Sequence, residues 1–272
     1  MAQAYAYVGP VDNVEPHRPS LLDALGELRF PFEASLFWLG ALSYPWPRVE
    51  PANSKTVMLI PGFMAGDVTL APMATFCRWL GHRAVFAGIW SNSKCPRESV
   101  EHLSQRLART AERWDSPIVV IGHSLGGIYA RELGHRNPDL VERVITLGAP
   151  IRWPRDSSNH AVAVVARSMA RIRGKAEGCL SEACSCGMRM SEISPKDVPT
   201  TVIYSRTDGV VHWQSCVDHS ASPMVENVEV LGSHVGMAFS ADVYRVIAER
   251  LALPLRTRLR LAASNPNLLP SS

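Results

Sequence analysis

The sequence has no apolar run long enough to cross a bilayer. The most apolar early stretch, ASLFWLGALSYPW, covers only residues 34–46, whereas a transmembrane helix needs about 20 residues. The opening residues also lack the charged and then apolar order of a secretory signal peptide. We therefore expect a cytoplasmic protein, in which residues 34–46 are either buried or in peripheral contact with a lipid surface.

Neither sign of charge is in large excess. The chain has 28 Lys and Arg against 25 Asp and Glu, a net charge of +3. No stretch combines a dense basic patch with interleaved aromatic residues, as a nucleic-acid-binding surface does. The small basic cluster at Arg256, Arg258 and Arg260 is typical of a solvated tail. We therefore predict no nucleic-acid partner.

Cysteine is sparse as well, with six residues in 272. In a cytoplasmic protein we expect reduced thiols rather than a disulfide framework. Cys179, Cys184 and Cys186 lie together and could join Cys216, but C-x4-C-x-C is not a usual zinc spacing. We predict no metal and no cofactor, and a disulfide among these four cysteines stays open.

What the sequence does contain is a regular alternation of short apolar runs with amphipathic segments. The candidate strands are Val57–Ile60, Ala84–Ile89, Ile118–Ile121, Arg143–Leu147, Thr201–Tyr204 and Val228–Leu231. The clearest helical faces carry Val100, Leu103, Leu107, Ala111 and Trp114 in one segment and Val243, Val246, Ile247 and Leu251 in another. Such alternation predicts an α/β fold, with a mostly parallel, doubly wound sheet and helices on both faces.

Two regions depart from this alternation. Residues 1–56 are rich in proline, contain one amphipathic helix around 20–42, and are expected to pack on the core as an N-terminal extension. Residues 151–198 have no strand signal, and an insertion of this size at the ligand-binding edge of an open sheet predicts a helical cap or lid. A pair of connecting helices is the alternative. The core is then 57–150 and 199–253, followed by a tail at 254–272 that we expect to be flexible.

A single serine stands between a predicted strand and a predicted helix. Gly122, His123, Ser124, Leu125 and Gly126 match G-x-S-x-G, the turn that holds a nucleophilic hydroxyl clear of the sheet. A serine hydroxyl is a weak nucleophile at neutral pH. It needs a base, a group that orients the base, and donors for the oxyanion that forms.

His234 is the favoured base among nine histidines, because it follows the last strand and has glycine on both sides. His123 neighbours the serine, but in such a turn its side chain points elsewhere. Asp208 is the favoured acid, since it lies in an Asp-Gly turn just beyond a strand; Asp218 is the alternative. The expected catalytic residues are therefore Ser124, Asp208 and His234.

The donors for an oxyanion are predicted from the turn after the first strand. Pro61, Gly62 and Phe63 follow that strand directly. The backbone N–H groups of Phe63 and Leu125 are then the two expected donors.

These motifs together resemble the α/β-hydrolase superfamily from about residue 55 to 252, and within it bacterial lipase- and esterase-like serine hydrolases. The matching segments are PGFMAGD, GHSLGG, SRTDGVV and GSHVGM. Pro61-Gly62 stands where many true lipases have His-Gly, and a serine at the turn differs from the carboxylate of haloalkane dehalogenases and epoxide hydrolases. The resemblance implies that the chain hydrolyses a small-molecule or lipid carboxylic ester through an acyl-enzyme.

Apolar residues near the turn and in the predicted cap are expected to contact the acyl group of the substrate. They are Met64, Trp153, Val162, Val165 and Met169.

Two other functions fit the same residues. An acyltransferase or thioesterase would use an identical serine, acid and histidine, and product analysis with competing alcohols would separate it from a hydrolase. A catalytically silent protein of this fold would act as a binding module, since fold alone does not imply chemistry. The oligomeric state is left open.

Overall fold

The computed structural model describes residues 19, 25–29, 32, 33, 35, 49–152 and 197–254. Within these residues six strands form one sheet, β1 (Thr56–Ile60), β2 (Arg83–Phe86), β3 (Ile118–His123), β4 (Val141–Leu147), β5 (Thr200–Tyr204) and β6 (Val225–Glu229). All five pairings between neighbouring strands are parallel. The predicted parallel α/β architecture is confirmed.

The strands are connected by helices that run back along the sheet. They are α1 (Ala71–Trp79), α2 (Pro96–Trp114), α3 (Leu125–Arg136), the short α4 (Trp213–Cys216) and α5 (Ala241–Ala252). Short 3-10 turns lie at Glu27–Arg29, Pro51–Asn53, Asp67–Leu70 and Gly236–Phe239. Among the described helices, none is both long and apolar enough to cross a membrane.

The order of the strands sets where a ligand can bind. The sheet runs β2-β1-β3-β4-β5-β6, so the chain moves outward in one direction from β1 and in the other direction from β3. In open α/β sheets the crevice at such a reversal, outside the carboxyl ends of the strands, is the usual ligand site. Here the segment after β1 begins at Pro61, and Ser124 follows β3 directly.

Alternate residues of the strands face two separate hydrophobic cores. Val57 and Leu59 of β1 pack on one side with the apolar faces of α1 and α5, whereas Met58 and Ile60 pack on the other side with those of α2 and α3. Strands that are buried on both faces read as continuous apolar runs. That pattern made β1, β3 and β4 recognisable in the sequence.

The helical faces chosen from the sequence are buried, with one exception. Val100, Leu103, Leu107 and Ala111 of α2 and all four chosen residues of α5 are buried. Trp114 at the end of α2 is 39% exposed, and the guanidinium of Arg83 lies 4.7 Å from the centre of its ring.

The bounds of β1, β3, β4 and β5 lie within two residues of the predicted ones, whereas β2 and β6 differ by three residues at one end. β2 is Arg83–Phe86 instead of Ala84–Ile89, and β6 is Val225–Glu229 instead of Val228–Leu231. β6 lies at the sheet edge, where Glu226 accepts a hydrogen bond from Thr201 and Asn227 pairs with the backbone of Asp218. An edge strand with polar side chains has no continuous apolar run, so the apolar pattern placed it too late in the chain.

Three predicted segments lie largely outside the described residues: most of the N-terminal extension, residues 153–196 of the predicted cap, and residues 255–272 of the predicted tail. The described part of the predicted 20–42 helix includes the 3-10 turn at Glu27–Arg29. Its contacts with the core are described with the candidate site.

Candidate active site

Ser124 occupies a strained turn between β3 and α3. Its backbone has φ 53° and ψ −123°. Residues other than glycine rarely adopt this backbone conformation, which costs on the order of 1–3 kcal/mol. The flanking glycines make the turn possible, because a Cβ on Gly122 would lie 2.1 Å from the carbonyl oxygen of Gly126, and one on Gly126 would lie 2.3 Å from that of Ile60. The predicted turn is therefore present at this serine.

Within the described residues, two backbone N–H groups near the Ser124 turn have no hydrogen-bond acceptor. The N–H of Ser124 donates to Leu147 O at 2.8 Å, and the N–H of Gly127 donates to Ser124 O at 2.8 Å. In the described part of the chain, the N–H groups of Phe63 and Leu125 donate to no acceptor. Leu125 is also the first residue of α3, where the helix dipole favours negative charge.

Asp208 and His234 form a buried pair at the same edge of the sheet. His234 Nδ1 lies 2.6 Å from Asp208 Oδ2, and the two residues are 5% and 6% exposed. The other carboxylate oxygen of Asp208 accepts hydrogen bonds from the N–H groups of Val210 and Val211 at 2.8 and 2.7 Å. Both oxygens of Asp208 are thus held in place, and Nδ1 of His234 is occupied.

The surroundings of His234 favour its charged form. Burial alone lowers the pKa of an imidazole, but the charge and hydrogen bond of Asp208, together with the charge of Glu27, outweigh burial and raise the pKa of His234 above its ordinary 6.5. His123 behaves in the opposite way, since burial and the nearby His234 lower its pKa to about 4.

Ser124 and the Asp208–His234 pair converge at the ends of β3 and β4. A Cβ on Gly148 would lie 3.1 Å from both Asp208 Oδ2 and His234 Nδ1, and Gly148 follows Leu147, the backbone partner of Ser124. The rings of His123 and His234 are 4.9 Å apart. Within the described residues no hydrogen bond joins the Ser124 hydroxyl to His234.

One ring nitrogen of His123 is already engaged by the backbone of the loop that carries His234. Its Nε2 lies 2.9 Å from the carbonyl oxygen of His234. Because that ring nitrogen contacts the loop that carries His234, His123 helps to hold this loop in place.

The alternative acid, Asp218, lies in a different environment. Its Oδ2 is 2.7 Å from Arg131 Nη2, and the two side chains are 5% and 8% exposed. Arg131 belongs to α3. Asp218 therefore joins the loop before β6 to the helix behind Ser124, whereas Asp208 contacts the histidine.

One residue that the sequence did not identify holds the turn after β1. The side-chain amide of Asn92 donates to Pro61 O at 2.7 Å, its backbone N–H donates to Ala65 O, and its carbonyl accepts from Met64 N. These three contacts fix the loop that presents the Phe63 N–H. The sequence around Asn92 contains no motif that distinguishes it from other asparagines in loops.

The N-terminal segment supplies two further residues that the sequence did not identify. The carboxylate of Glu27 accepts hydrogen bonds from the backbone of Gly209, His234 and Val235. The carboxylate of Glu33 accepts from the backbone and hydroxyl of Ser233, the latter at 2.6 Å. No local pattern around either glutamate indicates partners about 200 residues away.

Of the predicted substrate contacts, Met64 alone lies within the described residues. It directly follows Phe63, has φ 59°, and its side chain is 49% exposed. The other four, Trp153, Val162, Val165 and Met169, lie outside the described residues. The described residues contain no group of His, Cys, Asp and Glu that could hold a metal ion.

Comparisons of the sequence with known proteins give a partial match. A family model described as the PGAP1-like alpha/beta domain matches residues 98–183, which include α3 and the Ser124 turn. No curated protein matches the sequence.

Solved structures of hydrolases resemble the chain over most of its length. The mature form of Bacillus licheniformis lipase BlEst2 has a TM-score of 0.57 at 15% identity, over 76% of this chain and 96% of the lipase. Aspergillus fumigatus lipase B has a TM-score of 0.54 at 15% identity, over 80% of this chain, which spans only 56% of that lipase.

A third similar structure is a pyrethroid hydrolase from Sphingobium faniae JZ-2. Its TM-score is 0.51 at 16% identity, over 74% of this chain and 98% of that one. Together with the parallel sheet and its strand order, these likenesses show that the chain has the α/β-hydrolase fold.

Proposed function

We propose that the protein is a serine hydrolase that cleaves carboxylic esters through an acyl-enzyme on Ser124. The observation that carries this proposal is the combination of a strained serine turn with a buried acid–imidazole pair at one edge of the sheet. Ser124 has a positive φ between β3 and α3, and His234 contacts Asp208 at 2.6 Å. Strained backbone conformations cluster at active sites and ligand-binding sites.

In the first step, the hydroxyl oxygen of Ser124 attacks the ester carbonyl carbon. His234 Nε2 accepts the hydroxyl proton, because Nδ1 is already bonded to Asp208. The Asp208 carboxylate stabilises the imidazolium that forms, and its own position is held by the N–H groups of Val210 and Val211. The contact between serine and base is often long without substrate and tightens in the complex.

The oxyanion of the tetrahedral intermediate would accept hydrogen bonds from Phe63 and Leu125. Both N–H groups lack another acceptor in the described part of the chain, and preorganised donors of this kind give a large share of the rate in acyl transfer. His234 then gives its proton to the leaving alkoxide, and the C–O bond of the ester breaks. Water attacks the acyl-enzyme in the second half-reaction, with His234 again as base.

The substrate class is supported by the fold and by the rim of the site. Two of the similar structures are lipases. The exposed Met64 next to Phe63 offers an apolar contact to an acyl group. We propose a small-molecule or lipid ester, and Trp153, Val162, Val165 and Met169 of a proposed cap remain predicted contacts.

The test compares two serines at opposite ends of β3. Ser124→Ala should lower hydrolysis of p-nitrophenyl esters by a factor on the order of 10⁴ or more and abolish labelling by a fluorophosphonate probe. Ser116→Ala changes a serine just before β3 and should keep both. Circular dichroism and thermal melting check that both variants fold like the wild type.

The same assay identifies the acyl acceptor and the chain length. A panel of p-nitrophenyl esters of increasing chain length, with and without detergent micelles, measures acyl preference, and a competing alcohol tests for transfer. Labelling that persists in Ser124→Ala would contradict the proposal. Ester product that exceeds hydrolysis product at low alcohol concentration would make the protein an acyltransferase.

A further inference from the structure

Glu27 lies between the two loops that carry Asp208 and His234. One of its carboxylate oxygens accepts hydrogen bonds from Gly209 N and His234 N, both at 2.8 Å, and the other accepts from Val235 N at 3.1 Å. Gly209 directly follows Asp208 in the chain. A single carboxylate thus contacts the backbone beside the acid and the backbone of the histidine itself.

The two loops also contact each other, but through weaker, neutral groups. Ser205 and Thr207 of the acid loop donate hydroxyl hydrogen bonds to Gly232 O of the histidine loop at 2.7 and 3.1 Å. Hydrogen bonds to a charged acceptor are roughly twice as strong as neutral ones. The three bonds to Glu27 therefore form a charged link between the two loops. A second charged link runs from Thr207 O through Arg29 and Glu33 to Ser233.

We propose that Glu27 is a positioning residue, which holds the Asp208 loop and the His234 loop in register and keeps a negative charge beside the imidazole. This inference rests on the proposed ester hydrolysis, because it gives Glu27 its effect through His234. Glu27 need not contact the substrate or the reacting atoms.

Among the described residues, the charged and titratable groups that face His234 come from three parts of the chain. Asp208 and Glu27 are negative and favour the imidazolium, whereas His123, from the serine turn, disfavours it. Arg29, a positive charge of the same segment as Glu27, donates to Thr207 O and to Glu33. Removal of the Glu27 charge should therefore make the imidazolium less favourable and lower the pKa of His234.

Glu33 provides a matched control from the same segment. It also accepts hydrogen bonds from the histidine loop, but at Ser233, the residue before His234. Its carboxylate is braced by Arg29 at 2.9 Å. Glu33→Gln also replaces a carboxylate that accepts from the histidine loop, but it leaves the charge of Glu27 beside His234 in place.

The experiment measures the protonation of His234 directly. The imidazole is titrated by ¹⁵N NMR in the full-length wild type, Glu27→Gln and Glu33→Gln, with its resonance assigned by its absence in His234→Asn. We expect the titration midpoint of His234 to move to lower pH in Glu27→Gln and to stay in place in Glu33→Gln. The acid limb of kcat/KM for a p-nitrophenyl ester should move in the same direction as the midpoint.

A second variant tests the positioning role. Glu27→Ala removes all three hydrogen bonds. We expect kcat to fall by about 10- to 100-fold, because a small misplacement of catalytic groups has an effect of this size, and we expect KM to change much less. Glu27→Gln keeps an acceptor oxygen, so it should retain more of kcat than Glu27→Ala. Thermal melting identifies a variant that fails to fold, and the Gln variant then decides alone.

The outcomes separate this inference from the proposed function. An unchanged or higher midpoint in Glu27→Gln, or an equal shift in Glu33→Gln, overturns the role of Glu27 and leaves ester hydrolysis by Ser124 untouched. Persistent hydrolysis by Ser124→Ala overturns the proposed function, whatever the NMR midpoint.

Discussion

Asp208 and Asp218 follow the same strand, β5, and both carboxylates are nearly inaccessible, with side chains 1% and 5% exposed. Asp208 lies 2.6 Å from the imidazole of His234, whereas Asp218 lies 2.7 Å from the guanidinium of Arg131. A guanidinium keeps its charge at all ordinary pH values, so the second pair is a permanent ion pair. An imidazole gains and loses a proton near neutrality, so the first pair changes its charge.

Burial and a short contact therefore do not distinguish a catalytic carboxylate from a structural one. The titratable partner does, because a carboxylate can assist catalysis only where charge appears during the reaction. In the proposed reaction Asp208 would face such a charge, on His234. Asp218 instead joins the loop before β6 to α3, and Arg131 holds the pKa of Asp218 below its ordinary 3.8 although burial opposes it.

The largest expected effect is the loss of activity in Asp208→Asn. An amide at this position cannot stabilise the imidazolium and favours the wrong tautomer of His234, so kcat should fall by up to about 10⁴. Steady-state kinetics with a p-nitrophenyl ester measure it, and thermal melting checks the fold. Near-wild-type kcat in Asp208→Asn, with an inactive Asp218→Asn, would exchange the roles of the two residues.

A smaller effect, on stability instead of catalysis, is expected for Asp218→Asn. Loss of one charge from this buried pair removes the Asp218 carboxylate from the Arg131 guanidinium, which costs about 3 kcal/mol in the free energy of unfolding, roughly a 100-fold change in the folding equilibrium. Urea denaturation measures it, and kcat at 25 °C should change little.

A matched double variant separates the pair from its individual charges. In Arg131→Met with Asp218→Leu, both charges are removed together, and the free energy of unfolding should lie closer to the wild type than in Asp218→Asn alone. A double variant that is less stable than Asp218→Asn would show that Arg131 and Asp218 stabilise the protein independently of each other.

The parts of this comparison that the sequence predicted are those with a local signal. Ser124 has glycines on both sides and a strand before it, Asp208 has the Asp-Gly turn after β5, and His234 follows β6 between Gly232 and Gly236. Each signal lies within a few residues of the group that it identifies. The parallel core strands were predicted for the same reason, as continuous apolar runs.

The parts that the sequence did not predict depend on contacts between distant residues. The sequence around Glu27 and Glu33 gives no sign that the fold brings both carboxylates to the histidine loop. Likewise, nothing near Asn92 indicates that its amide donates to Pro61 O. The polar edge strand β6 likewise depends on partners elsewhere, such as Asp218. A single sequence carries no local pattern for such pairings.

The smallest effect is a pH dependence that separates the two aspartates in one experiment. The proposed base must be neutral, and the pKa of His234 is raised above 6.5, so kcat/KM should fall tenfold per pH unit below an inflection that lies above 6.5. The folded-state pKa of Asp218 is depressed instead, so its contribution to stability is present above its unfolded pKa and is lost only as the pH falls below 3.8.

The two dependences are measured side by side in the wild type and in Asp218→Asn. Buried neutral His82 and His123, whose pKa values are lowered to about 4, destabilise both proteins alike as the pH falls below 6.5, so they cancel in the difference between the two proteins. Burial and Arg152 lower the pKa of His219 and the charge of Asp218 opposes them, so protonation of His219 costs the wild type less stability than it costs Asp218→Asn. That difference in the free energy of unfolding should therefore not shrink from pH 7 to about pH 5, while kcat/KM falls with the same inflection in both proteins. An inflection below 6.5, or a stability difference that shrinks together with kcat/KM, would contradict the separation of a titrating pair from a permanent one.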